Sequence, residues 1–349
     1  MIEISTFKPR DTFFAAQNSL NGFVSSFKTV FAPEKYAKLY ILKGGPGTGK
    51  STLMRGIVSF ANKMSIDCDA VLCSSDTASL DGVILEKGDR RIAIIDGTAP
   101  HTRDAVYPGA VDEIINLGEG FDKRYLEENR EKIIDLSNEK SASYRKAYSS
   151  LFAAKGVFDY IWDNILKSRL YKEAEIVAKA YVRECNRCNT TEKYGKVLYS
   201  AFGKDGYKRL PLNTALKVVE VSGNEFICAA FMSLIKQELI REGMLTKYSP
   251  SALDERLTDR LYCDGTVFAL SEEKDAAINL YDYKPEKYIE DYSAASEAYY
   301  SLLDVAVSHF AAASEIHFRL EDIYSKGVDF KNNERVYASL TEEIAEHLS

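Results

Sequence analysis

The 349-residue sequence predicts a duplicated α/β fold with long helical hairpins, and three observations carry that expectation. A short apolar strand pattern, Leu39 to Lys43, leads through the glycine-rich stretch "GGPGTGKST" into a helical pattern from about Lys50. A similar succession of strand, turn and helix returns in the second half. Each succession is followed by stripes of apolar residues spaced three and four apart, the mark of packed helices. Length favours two domains over one, and 46% hydrophobic content is ample for both cores.

The glycine-rich stretch is the most specific element. Gly44, Gly49, Lys50 and Ser51 fill the pattern G-x-x-x-x-G-K-[ST], with Gly45, Pro46, Gly47 and Thr48 between them. Gly45 and Gly47 let the backbone curl so that its N–H groups point inward at phosphate oxygens, and the helix N-terminus adds its positive dipole end. Lys50 is expected to reach the β- and γ-phosphates and Ser51 to ligate Mg²⁺, with Thr52 near the α-phosphate side. Residues 44–52 therefore predict a site for ATP or another nucleoside triphosphate, and the fold class becomes an α/β P-loop NTPase fold.

Such a site needs a second carboxylate for the metal, at the end of a buried strand. "RRIAIIDGTAPH" supplies one: four apolar residues, Ile92 to Ile95, and then Asp96. The unbroken apolar run suits a parallel strand covered on both faces, which makes Asp96 the expected Walker B residue and, with Ser51, the expected Mg²⁺ ligand. Asp-Gly is also a turn dipeptide, so capping of the following loop is the competing role. Position 97 is glycine, so no glutamate beside Asp96 orients a hydrolytic water, which weighs against fast motor turnover.

Three other side chains are candidates near the reacting phosphate. Asp76 follows the apolar strand Ala70 to Cys73, at the carboxyl edge where open α/β sheets place ligands, as a base or acceptor-binding residue. His101 and Arg103 follow Asp96 in one loop, the first to orient water or substrate and the second to neutralise charge. Their structural alternatives are a helix cap, a loop hydrogen bond and a solvated charge.

Beyond Gly118 the pattern is helical. From Tyr144, residues Ala147, Leu151, Ala154, Phe158, Ile161 and Ile165 form one stripe, and a second helix over Lys172 to Arg183 completes a hairpin. In the second half "KVVEVSGNEFICAAF" lies without gaps on "KLYILKGGPGTGKST", with Gly223 on Gly44. Upstream "YSAFGKDGY" resembles "FAAQNSLNGF", and downstream "VFALS" stands where "IAIID" stood. A stripe from Tyr292 through Tyr299, Ala306, His309 and Ala313 to Ile323 then spans about nine turns and, with Val336 to Ile344, makes the second hairpin. The expected domains are residues 1–196, with a hairpin at about 119–190, and 197–349, with a hairpin at about 286–349. In the second copy Cys228, Ala229 and Ala230 replace Gly49, Lys50 and Ser51, and Ser271 matches Asp96. That copy is expected to be a degenerate P-loop domain, serving as a scaffold, a dimer-like partner or a surface completing the first site.

Together "GGPGTGKST", "CSSD", "IIDGTAPH" and "YPGAVDEIINLG" resemble a family of bacterial tandem P-loop ATPases common in clostridia and related bacteria, over nearly the whole chain. "DGTAPH" and "YPGAVDEI" carry the narrower part of the match. The resemblance implies nucleotide binding and ATP hydrolysis and names no physiological substrate. Relatives often keep an intact glycine-lysine loop in the second half, from which residues 223–231 depart here.

Composition bounds the rest. A formal net charge of −7 argues against broad capture of nucleic acid or an anionic membrane surface. No apolar run approaches the roughly 20 residues needed to cross a bilayer, and the start lacks the basic-then-apolar order of a signal peptide, so a cytoplasmic location is expected. Six scattered cysteines are expected to be reduced; Cys185 and Cys188 form a C-x-x-C too sparse for a structural zinc. His309 falls in an apolar stripe as a buried, hydrogen-bonded residue, and His317 and His347 have no obvious partner. The expected function is that of a Mg²⁺-dependent ATPase; the alternatives are a P-loop kinase passing the γ-phosphoryl to a small acceptor and a non-hydrolysing nucleotide sensor, acting on an unidentified protein or small-molecule partner.

Overall fold

A computed structural model describes residues 2, 4, 6–185 and 194–348. In chain order the first half carries β1 (Asp11–Phe14), β2 (Ala16–Ser19), β3 (Gly22–Ser25), a one-turn α1 (Phe27–Val30), β4 (Lys38–Lys43), α2 (Lys50–Lys63), β5 (Asp67–Leu72), β6 (Leu80–Lys87), β7 (Arg90–Asp96), β8 (Asp112–Asn116), α3 (Lys123–Glu128), α4 (Arg130–Lys167) and α5 (Arg169–Arg183). The second half carries β9 (Gly195–Lys196), β10 (Ser200–Gly203), β11 (Gly206–Arg209), β12 (Lys217–Ser222), α6 (Glu225–Arg241), β13 (Lys247–Pro250), β14 (Thr258–Cys263), β15 (Thr266–Leu270), β16 (Ile278–Asn279), α7 (Tyr292–Lys326) and α8 (Phe330–His347). The protein is mixed α/β, with two six-stranded mixed sheets and long helices.

The two sheets repeat one pattern. The first runs β1-β5-β6-β7-β4-β8, and the second, read from its other end, runs β9-β13-β14-β15-β12-β16. Step by step along each order the pairings are parallel, antiparallel, antiparallel, parallel and parallel. Both sheets also carry a register shift in the second step, at Val71/Leu72 and at Ser249/Pro250. The strand holding Asp96 is therefore parallel to its neighbour on one side only; β6 runs against it on the other. Its apolar run, Ile92 to Ile95, is completely buried whatever the strand sense.

Contacts divide the chain into two compact units that do not follow its sequential halves. Unit 1 comprises Met1–Ala16, Val24–Arg145 and His309–Ser349; unit 2 comprises Gln17–Phe23 and Lys146–Ser308. The hairpins are thus exchanged: α8, from the second half, belongs to the unit of α2, and α5, from the first half, to that of α6. Grouping by repeat and grouping by contact are different divisions of this chain. Helix α4 starts at Arg130, inside the 119–190 segment expected to be helical; its turns before the Tyr144 stripe show no wide apolar face because they bury only Leu136, against Leu320 and Ile323.

In unit 1, α8 packs on α2 at Gly56, where a Cβ would fall 2.9 Å from the Tyr337 ring. The Tyr40 hydroxyl of β4 donates to Glu343 Oε2 at 2.9 Å. In unit 2, Phe158 is fully buried among Trp162, Phe226 and Tyr299, with the Arg256 guanidinium 4.7 Å from its ring centre. Phe158→Ala is expected to cost about 3–5 kcal/mol, read as a lower denaturant midpoint at unchanged slope. No helix among the described residues is long and apolar enough to cross a membrane.

Candidate functional site

Strand β4 ends at Lys43, residues 44–49 turn, and α2 begins at Lys50. Gly47 and Gly49 adopt φ +67° and +82°, the region L side chains disfavour. The Thr48 hydroxyl, buried, donates to Gly45 O at 2.8 Å and draws the loop closed. Gly49 caps α2 without a side chain, so no cap side chain takes the amides of the first helical turn. Lys50 folds back over its own loop: Nζ donates to Gly44 O and Gly45 O, both at 2.9 Å, and lies 3.6 Å from Asp96 Oδ2.

Asp96 arrives there because β7 pairs in parallel with β4, with Leu42 opposite Asp96. Its Oδ1 accepts from Thr98 N at 2.8 Å and Thr98 Oγ1 at 2.5 Å, so the carboxylate caps its loop with one oxygen and faces Lys50 with the other. Ser51 Oγ accepts from Leu80 N at 3.1 Å, and Thr52 is exposed. Among the described residues no three His, Cys, Asp or Glu side chains cluster to hold a metal ion. Ser51 and Asp96 are two oxygen donors, a set that suits Mg²⁺ when phosphate oxygens and water complete its octahedron.

The other candidates are placed differently. Asp76 caps its own turn, Oδ1 accepting from Ala78 N at 3.3 Å and Oδ2 from Ser79 Oγ at 3.5 Å. The Arg103 guanidinium lies 3.8 Å from buried Asp112, within the 97–112 segment, and burial lowers its pKa. Lys43, unforeseen in this role, secures the same segment by donating to Gly97 O at 3.0 Å and Arg103 O at 2.5 Å.

His101 is buried, stacked on Phe27 with ring centres 4.0 Å apart, and its Nε2 lies 3.2 Å from Asp81 Oδ2. Burial pushes the Asp81 carboxyl up, with His101 opposing and Asp96 adding to the rise. Asp81 carries no motif in the sequence, and the β6–β7 register explains its position: Gly82 stands opposite Ile95. Asp81→Ala is expected to lower stability by roughly 1–3 kcal/mol in denaturant titration, since it strips a buried imidazole of its carboxylate.

The glycine-rich loop is also roofed by α7 and α8, from the far end of the chain. A Cβ on Gly47 would fall 2.6 Å from Glu321 O, one on Gly45 3.0 Å from the Tyr324 ring, and one on Gly49 2.7 Å from Asn333 Nδ2. Asn333, 2% exposed, donates to Thr48 O at 2.7 Å. His317, for which the sequence suggests no partner, lies 3.5 Å from Glu321 and 3.5 Å from Lys140 of α4. His309 is only half-buried, short of the burial expected.

The matching turn of the second half is built differently. Only Gly223 and Asn224 separate β12 from α6, and Asn224 Oδ1 accepts from Phe226 N and Ile227 N at 3.1 and 3.4 Å, filling the helix end. The helix thus begins earlier than the gapless match implies, and Cys228, Ala229 and Ala230 are buried inside it. Leu270 pairs with Val221 as Asp96 pairs with Leu42, so Leu270, not Ser271, takes the place of Asp96. Ser271 corresponds to Gly97: their amides donate to Val221 O and Leu42 O. Cysteines 68, 73, 185, 228 and 263 are free, and Cys188 lies outside the described residues.

Fold and site together define a mixed α/β protein with one glycine-rich strand-to-helix loop, a lysine folded over it and a strand-end aspartate beside that lysine. No protein-family model matches the chain, nor does any curated protein or solved structure.

Proposed function

We propose that residues 44–52 bind a nucleoside triphosphate with Mg²⁺ and that the protein hydrolyses ATP slowly. The observation that carries this reading is Lys50 at the head of an uncapped helix, held over its own loop carbonyls and 3.6 Å from Asp96. On binding, the ammonium exchanges two carbonyls for phosphate oxygens, a stronger charge-assisted contact, while the loop and first-turn amides take the rest of the anion. Ser51 and Asp96 would hold Mg²⁺, which neutralises charge developing on the phosphate. We assign water orientation to the Asp81–His101 pair, whose Asp81 carboxyl responds to the charge of Asp96. We read the matching strand orders as an internal duplication of a P-loop fold in which the first copy alone keeps phosphate chemistry.

The test is Mg²⁺-dependent ATP consumption by the wild type, with and without a pooled metabolite mixture. ADP and free phosphate formed without the mixture support hydrolysis. Consumption only with the mixture replaces this reading with a kinase, and tight binding without consumption replaces it with a sensor.

A further inference from the structure

Gly49 leaves the first turn of α2 without a side-chain cap, and α8 secures the loop at that point through a carbonyl instead. Asn333, 2% exposed, donates from Nδ2 to Thr48 O at 2.7 Å, and the same Nδ2 stands 2.7 Å from where a Cβ on Gly49 would fall. A carbonyl oxygen only accepts, so the Asn333 amide has one workable orientation; turned over, its Oδ1 would face Thr48 O. In a trans peptide the carbonyl and the following N–H point to opposite sides. Anchoring Thr48 O on α8 therefore turns the Gly49 N–H away from α8, and that N–H has no acceptor among the described residues. Asn333 also keeps its Oδ1 buried without a partner among the described residues, a cost that a contact serving stability alone gives no reason to carry. The second half uses an asparagine in the opposite sense. Asn224 turns its acceptor, Oδ1, onto Phe226 N and Ile227 N and gives its Nδ2 to Tyr292 Oη at 2.7 Å, which occupies the helix-start amides that an anion would need.

We propose that Asn333 is the positioning residue of the glycine-rich loop: by holding Thr48 O it sets the Thr48–Gly49 peptide so that the Gly49 N–H donates to a phosphate of the bound nucleotide. This rests on the reading of residues 44–52 as a triphosphate site. It adds to the local motif a residue 285 positions further along the chain. The donor sits on a secured helix, since Tyr337 Oη of α8 donates to Gly56 O at 3.4 Å and Glu343 of α8 accepts from Tyr40 at 2.9 Å. Coupling between sites is reciprocal, so a phosphate on the Gly49 N–H in turn holds α8 against the loop.

Calorimetric titration with ATP and Mg²⁺, and separately with tripolyphosphate, tests this on the wild type, Asn333→Ala, Asn333→Asp, Lys50→Ala and Leu340→Ala, with the Gly49 amide resonance followed during the tripolyphosphate titration. Leu340, 1% exposed and two turns further along α8, is the stability control. Unfolding midpoints set a temperature at which the variants stay folded, and either Asn333 variant carries the test where the other does not fold. Support consists of roughly tenfold weaker binding of both probes by Asn333→Ala and a greater loss in Asn333→Asp, whose carboxylate would face both Thr48 O and the anion. It also requires a Gly49 resonance that shifts in the wild type and stays in place in Asn333→Ala, and a Leu340→Ala protein that unfolds earlier yet binds as the wild type does. Lys50-dependent binding with wild-type affinity in the Asn333 variants overturns the positioning role and leaves the triphosphate site standing. Affinity losses in Leu340→Ala equal to those in Asn333→Ala overturn it as well, in favour of a contact that serves stability alone. Binding by no variant, or binding indifferent to Lys50, overturns the triphosphate site and the positioning role together.

Discussion

Lys50→Ala is expected to reduce ATP turnover by about two to three orders of magnitude and ATP affinity by roughly tenfold or more. The lysine touches the loop and faces Asp96 together, through Gly44 O, Gly45 O and Asp96 Oδ2. Removing it deletes the charge that exchanges carbonyls for phosphate and the cation 3.6 Å from Asp96. The fold should persist, because the loop stays closed by the Thr48 hydroxyl on Gly45 O and by Asn333 on Thr48 O. Phosphate release and ATP titration, each beside a thermal unfolding curve, separate loss of function from loss of structure. A variant that turns over like the wild type would remove the basis of the proposed function.

Gly47→Ala is expected to lower stability by about 2 kcal/mol or more and to weaken nucleotide binding along with it. Two penalties add at this position. An alanine at φ +67° is strained, and its Cβ would meet the Glu321 carbonyl at 2.6 Å, a helical backbone atom that cannot swing aside. Gly109→Ala isolates the first penalty, since Gly109 adopts φ +76° with nothing within 4 Å of an added Cβ. A larger drop in unfolding midpoint for Gly47→Ala than for Gly109→Ala measures the contact with α7. Equal drops would mean that the roof exerts no force on the loop.

The loop and its aspartate were legible because their signals are local. Glycines at fixed offsets, a lysine at the helix start and an apolar run ending in Asp96 all lie within short windows, and strand pairing then brings the two windows together. Asp76 and Arg103 stood in equally suggestive positions, yet the structure gives them to a turn and to Asp112, since a short carboxylate or a half-buried guanidinium takes the nearest partner. Asp81 carried no separate signal, because its meeting with His101 depends on the register of an antiparallel pair. The match of Ser271 to Asp96 failed by one residue, and since side chains alternate along a strand, one residue decides which face is presented.

By itself the sequence determined the strand-loop-helix pattern in each half, the long helices and the absence of a lysine and hydroxyl from the matching stretch of the second half. These follow from backbone propensity and periodicity, which act over a few turns. Only the tertiary structure decided that the hairpins exchange between units and that Glu321, Tyr324 and Asn333 roof the glycine-rich loop. Those contacts join residues nearly three hundred positions apart, and they are selected by the shapes of packed surfaces: a glycine with no Cβ makes the space, and a distant helix backbone fills it.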